Sequence, residues 1–352
     1  MQRRFFSALE GMRGIVAIAI IFFHTTFHWP GYLGVEFFMM LSGFVMAHTC
    51  LDRPDRPEGG LFVLQRLARL YPLHLAALLL FIATYLLRYG HWPDYSDGTL
   101  FTLIQQLLLL HNVGFNPQGL TWNYPAWSVS VELWVNLIVF FVVPLRVRSV
   151  HLLLLALAGY LVIYNLSRQL DVHHGLYWSW LAAGMVRGLA GFLLGWFAYR
   201  ASRRLAALGG GMLSWSLAEL LPLLALLPIL VIPVRNSPFD FVAVILMLAM
   251  MLALAQERGV LSRLLAIPPL QYLGRISYSI YLVHIPVQNV LYGQDIDIPH
   301  LGMLPYMTLF AVCVVALASL THHAVELPAR RWFKAWQARS AQAAAPGATV
   351  GA

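Results

Sequence analysis

The chain of 352 residues is 60% hydrophobic and only 11% charged, about half the charge of an ordinary soluble domain, which excludes a soluble globular protein. Its net charge of +8 comes almost wholly from arginine, with Lys334 the single lysine. These basic residues gather at the ends of apolar runs, a membrane-topology pattern and not a nucleic-acid surface. The cysteines, Cys50 at the end of one apolar run and Cys313 inside another, give no disulfide framework.

Apolar runs of about 17–23 residues are long enough to cross a bilayer as helices. Ten are predicted, over 10–29, 34–51, 70–89, 127–146, 149–166, 178–200, 212–232, 239–256, 273–292 and 303–323. The expected fold class is an all-α polytopic integral membrane protein. No small-residue cleavage site follows the long apolar run after Arg3 and Arg4, so no cleaved signal is expected.

The first run, "GMRGIVAIAIIFFHTTFHW", carries Arg13 and His24. Eleven residues turn a helix about 20° past three full turns and rise about 16.5 Å, so the two lie on one face at opposite depths. Charged and polar groups in lipid need a partner or a job. The bland alternative is an arginine snorkelling to headgroups and a satisfied core histidine. A short turn, "HWPGYLG", then brings Glu36 of "GVEFFMMLSGF" to the depth of His24. A carboxylate beside an imidazole fixes its tautomer and raises its basicity; a structural ion pair is the alternative.

In "LQRLARLYPLH", Arg66 and Arg69 share a helical face and suit a phosphate, or serve as membrane anchors. The run 99–113 is short, contains Gln105 and Gln106, and reads as interfacial or re-entrant. "NYPAWSVSVELW" supplies Trp127, Ser128, Ser130 and Glu132, with an aromatic-belt role open to Trp127. Arg187 lies inside the sixth run, where Gly191 and Gly195 of "GLAGFLLGW" predict close packing on a neighbouring helix. Pro222, Pro228 and Pro233 punctuate the seventh. "LGRISYSIYLVHIP" gives Arg275, Tyr278 and His284, with Arg275 and His284 about half a turn out of phase. "HHAVELPARRWF" closes the last run with Glu326, Arg330 and Arg331, and Glu326 has arginines at hand to pair with. His322 and His323 lack companions at metal-ligand spacing, and no H-E-x-x-H, phosphate-binding glycine loop or G-x-S-x-G occurs. No metal and no resident cofactor are expected. The Ala/Gly-rich segment 338–352 reads as a disordered tail.

With the N-terminus placed in the cytoplasm, 18 basic residues fall on the inner side and three, Arg88, Arg168 and Arg235, on the outer side, with Arg13 and Arg187 in or near spans. That asymmetry predicts both termini inside and an even number of spans.

The pieces "LEGMRGIVAI" with Arg13 and His24 (an R-x10-H spacing), "GVEFFMMLSGF" with Ser42, "RLARLYP", "WSVSVELW", "LGRISYSIYLVHIP" and "VELPARRW" stand in an order that resembles the membrane-bound acyltransferase-3 family. The resemblance runs from Leu9 to about Trp332, so 1–337 is expected to be one acyltransferase-3 transmembrane domain, standing alone without an added extracytoplasmic hydrolase-like domain. It implies transfer of an acyl group, most often acetyl from acetyl-CoA as co-substrate, to a hydroxyl of a surface or exported glycan or a lipid-linked sugar, in the bacterial cytoplasmic membrane. It also implies essential roles for Arg13 and His24 and a cytoplasmic arginine pair in Arg66 and Arg69. In this reading His24 is the general base with Glu36 orienting it, and Arg13, Arg66 and Arg69 hold the acyl-CoA. Ser42, Trp127, Ser130, Glu132, Arg187, Arg275, Tyr278, His284 and Glu326 are further pocket candidates. The competing class is a proton-coupled transporter or flippase, since buried Arg, His and Glu in a helical bundle are also a carrier's equipment.

Overall fold

The structure is a computed structural model and describes residues 4–25, 29–52, 56–96, 98–114, 120–144, 146–172, 175–232, 237–293 and 302–344. Arg3, Arg53, Pro233, Arg235 and the tail from 345 onward lie outside the described residues.

A helix stands at each of the ten expected spans. In chain order these are α1 (Ser7–Phe23), α2 (Gly34–Met46), α3 (Gly59–Tyr89), α5 (Trp127–Val142), α6 (Ser149–Ser167), α7 (Ala183–Leu205), α8 (Met212–Val231), α9 (Phe239–Leu254), α11 (Pro268–Gly293) and α12 (Met303–Thr321). Two short helices, α4 (Thr99–Leu107) and α10 (Val260–Leu265), lie between them, and α13 (Leu327–Ala344) ends the described chain. Among the described residues six helical runs are long and apolar enough to cross a membrane: Gly31–Leu51, Gly59–Tyr89, Tyr124–Val142, Ser149–Ser167, Met212–Val231 and Met303–Ser340. The other four expected spans are helices of 17 (α1), 23 (α7), 16 (α9) and 26 (α11) residues.

Several boundaries differ from the expected ones. Helix α1 stops at Phe23, so His24 caps the helix instead of lying inside it, and the Thr25 hydroxyl donates to the carbonyl of Phe22 (2.6 Å). Helix α3 starts at Gly59, well before 70, and its 31 residues reach about 46 Å. That exceeds a hydrocarbon core of about 30 Å. The segment 178–182 is not helical. Leu176–Tyr177 and Leu181–Ala182 form a two-stranded antiparallel hairpin, turned by Trp178 and Ser179 at φ 51° and 63°. Its apolarity comes from exposed aromatics, Trp178 and Trp180, and not from a buried face. Helix α4 is too short to cross, and it turns Gln105 and Gln106 inward, where the Gln106 amide donates to Thr121 O (2.7 Å). Helix α13 stays helical through 338–344, inside the segment read as a tail.

The bundle is held by pairs of helices that approach to backbone distance. Helix α2 packs on α7 and α1 on α11. A Cβ at Gly195 would overlap the carbonyl of Met40, and one at Gly43 the carbonyl of Phe192, so α2 and α7 fit only through these glycines. The close neighbour expected for Gly191 and Gly195 is therefore α2. Two π-type turns, Ala47–Leu51 after α2 and His322–Glu326 after α12, interrupt the helical ladders at one end of the bundle.

The α2–α7 contact is testable. Gly195→Ala forces backbone apart and is expected to lower stability by about 1–3 kcal/mol. Gly60→Ala, where an added Cβ meets nothing within 4 Å, is expected to be neutral or slightly stabilising. Melting temperatures in detergent compare the two, and equal values would show that the contact is loose.

Candidate active site

A fully buried ion pair ties three helices together. Arg187 of α7 donates from Nε to Glu36 Oε1 of α2 at 2.5 Å and from Nη2 to the Tyr32 carbonyl at 2.8 Å. The Tyr160 hydroxyl of α6 donates to Glu36 Oε2 at 2.7 Å. The guanidinium also lies 5.6 Å from the Trp127 ring centroid. Both carboxylate oxygens are thus committed, and Glu36 does not orient His24. Desolvation explains the pairing: a guanidinium with no access to water needs the nearest buried carboxylate.

Beside this pair lies a cavity of about 490 Å³. Arg13 and Glu10 of α1, Ser42 and Phe38 of α2, Arg69 of α3, Ser128 and Glu132 of α5, and Arg275, Ser277, Tyr278 and Tyr281 of α11 line it. Its mouth is basic, with Arg4 and Arg330 added, and carries His322 and Glu326 from the second π-type turn. Arg13 donates to Ser277 Oγ (2.9 Å) and to Glu10 (3.1 Å). Glu326 accepts from His322 Nδ1 (2.8 Å) and from Arg330 (3.2 Å), the local arginine pairing that its sequence context offered. Ser42 donates to Glu132 at 3.2 Å, and the Tyr278 hydroxyl to Leu70 O at 2.8 Å. Among the described residues, Arg69 has no hydrogen-bond or ion-pair partner, so its guanidinium is open to a ligand. Arg66 does not line the cavity. Its guanidinium lies over Phe62 (5.0 Å), whose ring stacks on Phe140. The two arginines expected to act as one grip are split between a cavity and an aromatic stack.

Two lining residues of this cavity are joined by a hydrogen bond from Ser128 Oγ to the Tyr281 hydroxyl (2.9 Å), and the Tyr281 ring centroid lies 6.0 Å from that of His284. Next to His284 sits His24. Its ring stacks on that of His284 of α11, with centroids 4.9 Å apart and planes at 24°, and its Nδ1 lies 3.1 Å from the Tyr124 hydroxyl. Gln288 donates to its carbonyl at 2.6 Å, an acceptor left open where α1 ends. His24 lines neither cavity. Tyr124 and Gln288, however, also belong to a second cavity of about 460 Å³, walled by Phe81, Tyr85, Tyr89, Tyr95 and Trp122 with Arg88 and Asn289. The Tyr95 hydroxyl takes the Trp122 N–H at 2.6 Å. Burial pushes its phenol up to about 12, so it stays neutral and acts as a polar wall, not as a base.

Of the candidates read from sequence, the structure gathers Arg13, Ser42, Arg69, Glu132, Arg275, Tyr278 and Glu326 around the basic cavity and sets His24 against His284 beyond it. Glu36 and Arg187 form the buried pair behind the cavity, with the Trp127 ring beside the guanidinium. Ser130 donates to Leu109 O at 2.6 Å and anchors the segment after α4. Sequence reading missed Tyr124, Tyr281 and Gln288. Gln288 sits one helical turn beyond His284, which was the available signal. Among the described residues no group of His, Cys, Asp and Glu is arranged to hold a metal.

Comparison with known proteins adds the following. A family profile described as an acyltransferase domain matches residues 6–323. Protein 2 in the picA locus of Rhizobium radiobacter is 35% identical over 154 residues, covering 37% of this chain and 78% of that protein. The putative membrane-bound transacylase BcsY of Komagataeibacter xylinus is 29% identical, covering 41% of this chain and 38% of that protein. Peptidoglycan O-acetyltransferase OatA of Listeria monocytogenes is 23% identical over 317 residues, covering 81% of this chain and 50% of that protein. The chain thus spans half or less of the length of the last two. No solved structure matches.

The buried pair generates a prediction of its own. Glu36→Gln leaves Arg187 charged and uncompensated, and is expected to cost about 3–5 kcal/mol. Glu36→Gln combined with Arg187→Met should recover most of that. Thermal unfolding of the single and double variants checks it, and a double variant no better than the single one would mean the pair is not coupled.

Proposed function

This chain belongs to the acyltransferase-3 family, and on that premise we propose that it is an O-acyltransferase of the bacterial cytoplasmic membrane. It moves an acyl group, acetyl in the first instance, from cytoplasmic acyl-CoA to a hydroxyl of a surface or exported glycan or a lipid-linked sugar. The observation that carries this reading is the position of His24 between two cavities of opposite character. One has a basic mouth with a free guanidinium, Arg69, fit for a polyanion. The other is walled by aromatic rings and amides, fit for the apolar face and hydroxyls of a sugar.

The chemistry follows from those positions. Arg69, Arg13 and Arg275 hold the phosphates at the mouth, where their charge is still hydrated. A pantetheine arm extends on the order of 15–20 Å, comparable with the rise of about 16.5 Å from Arg13 to His24. The arm passes Ser42 and Tyr281 and displaces the Ser128–Tyr281 hydrogen bond to present its thioester. His24 removes the proton of the acceptor hydroxyl as it attacks the carbonyl, and the proton then goes to the departing thiolate. Only the acyl group crosses between the cavities, which spares the phosphates a prohibitive transfer into lipid. The 18-to-3 charge asymmetry supports a basic mouth at the cytoplasm, with both termini inside and an even number of crossings.

Sealed right-side-out vesicles test the reading. With radiolabelled acetyl-CoA trapped inside, label is expected on glycan supplied outside, and acetyl-CoA supplied only outside should give none. His24→Ala should lower the inside-loaded rate at least about a hundredfold with the protein still folded. Transfer driven by external acetyl-CoA alone, or a variant retaining more than about a tenth of the rate, would rule out this mechanism.

The two arginines of α3 should now behave differently. Arg69→Ala is expected to raise the KM for acetyl-CoA about tenfold or more, the loss of one charge-assisted phosphate contact. Arg66→Ala should leave it within about twofold, since a stacked arginine outside the cavity acts through packing. Steady-state kinetics decide, and equal effects would restore the two-arginine grip.

A further inference from the structure

Imidazole nitrogens in a protein interior are seldom left without partners. His284 is fully buried, and its Nδ1 lies 2.7 Å from the Tyr281 carbonyl. A carbonyl only accepts, so Nδ1 carries the hydrogen and, in the neutral ring, Nε2 carries a lone pair. That Nε2 has no hydrogen-bond partner among the described residues. At His24 the Tyr124 hydroxyl meets Nδ1 and can donate or accept. The backbone of α11 therefore prepares a bare acceptor nitrogen on His284.

Its surroundings indicate which molecule it meets. The two nitrogens of an imidazole point away from each other, and Nδ1 points back to Tyr281, a residue of the basic cavity. Nε2 therefore points away from that residue. One turn onward, on the same face of α11, Gln288 lines the aromatic cavity together with Ile285 and Asn289. The half-buried Tyr124 and Gln288 are shared by His24 and that cavity, so they are the layer between the histidine pair and the cleft.

We propose that His284 is an acceptor-binding residue: its Nε2 takes a hydrogen bond from a hydroxyl adjacent to the one being acylated. The site then selects acceptors with two neighbouring hydroxyls, one presented to His24 and one to His284. This rests on the acyl-transfer reading above. No bond is made or broken at His284. A buried acceptor built for a substrate hydroxyl discriminates strongly against molecules that lack it, because the nitrogen is then left dry and unpaired.

Two substitutions separate the lone pair from the ring. His284→Gln puts an amide oxygen near the position of Nε2 and loses the aromatic stack, whereas His284→Phe keeps a stacking ring and loses the acceptor. The probe is the envelope glycan fraction of a strain lacking this protein, acylated from radiolabelled acetyl-CoA in membranes containing wild type or variant. His284→Gln should stay within about threefold of wild type. His284→Phe should lower kcat/KM for the glycan about 10- to 100-fold with the KM for acetyl-CoA unchanged. Should the Phe variant not fold, His284→Leu takes its place. An active Phe variant with an impaired Gln variant would make His284 a packing residue and overturn the proposal. So would equal loss in both, no loss in either, or an effect on the KM for acetyl-CoA. Wild type that transfers no label at all would overturn the acyl-transfer reading, and this proposal with it.

Discussion

The pairing of Arg187 with Glu36 is the constraint from which the arrangement of the site follows. Both side chains are shut off from water, and separating them would leave two bare charges in an apolar interior. Helices α2 and α7 are therefore locked in register, and the glycines of both helices are what let them come close enough. Gly191 has a more specific job: a Cβ there would sit 3.3 Å from Glu36 Oε2 and crowd the carboxylate. With α2 fixed, Phe38 and Ser42 are presented to the basic cavity. Tyr160 extends the same lock to α6, so the pair acts as a frame behind the cavity and leaves the chemistry to other residues.

Much of this was legible in the chain. Apolar run lengths located a helix at each expected span, because a bilayer admits few other solutions. The close approach at Gly195 followed from small residues four apart. What the sequence hid were choices among partners. Glu36 was assigned to His24 because a short turn brings them to a common depth. Depth, however, does not say which way a side chain turns, and a guanidinium 151 residues away claimed both of its oxygens along with Tyr160. Arg66 and Arg69 looked like one grip, yet three positions turn a helix about 300°, not a full circle. That offset suffices to send one side chain to the cavity and the other onto Phe62. Tyr124 carried no signal, since an aromatic before a proline at a helix start reads equally well as a membrane-belt residue.

Helix α11 joins the two cavities. Arg275, Tyr278 and Tyr281 line one, and Ile285, Gln288 and Asn289 line the other. His284 lies between these sets, so a displacement of α11 would reach both cavities at once. The Ser128–Tyr281 hydrogen bond couples α5 to α11.

The stacked histidine pair stands where regular helix gives out. His24 is the cap of α1, Tyr124 opens a single 3-10 turn before α5, and His284 lies two residues before Pro286. Proline has no N–H to give the Leu282 carbonyl, and inside a membrane an open carbonyl is costly. The Asn123 amide fills that place at 3.0 Å, which draws the turn bearing Tyr124 against α11 and toward His24. The carbonyl released at the end of α1 is likewise taken by Gln288. Each break in a helix thus leaves a backbone acceptor, and each acceptor recruits a side chain from another segment. By this route, segments distant in sequence converge on two imidazoles.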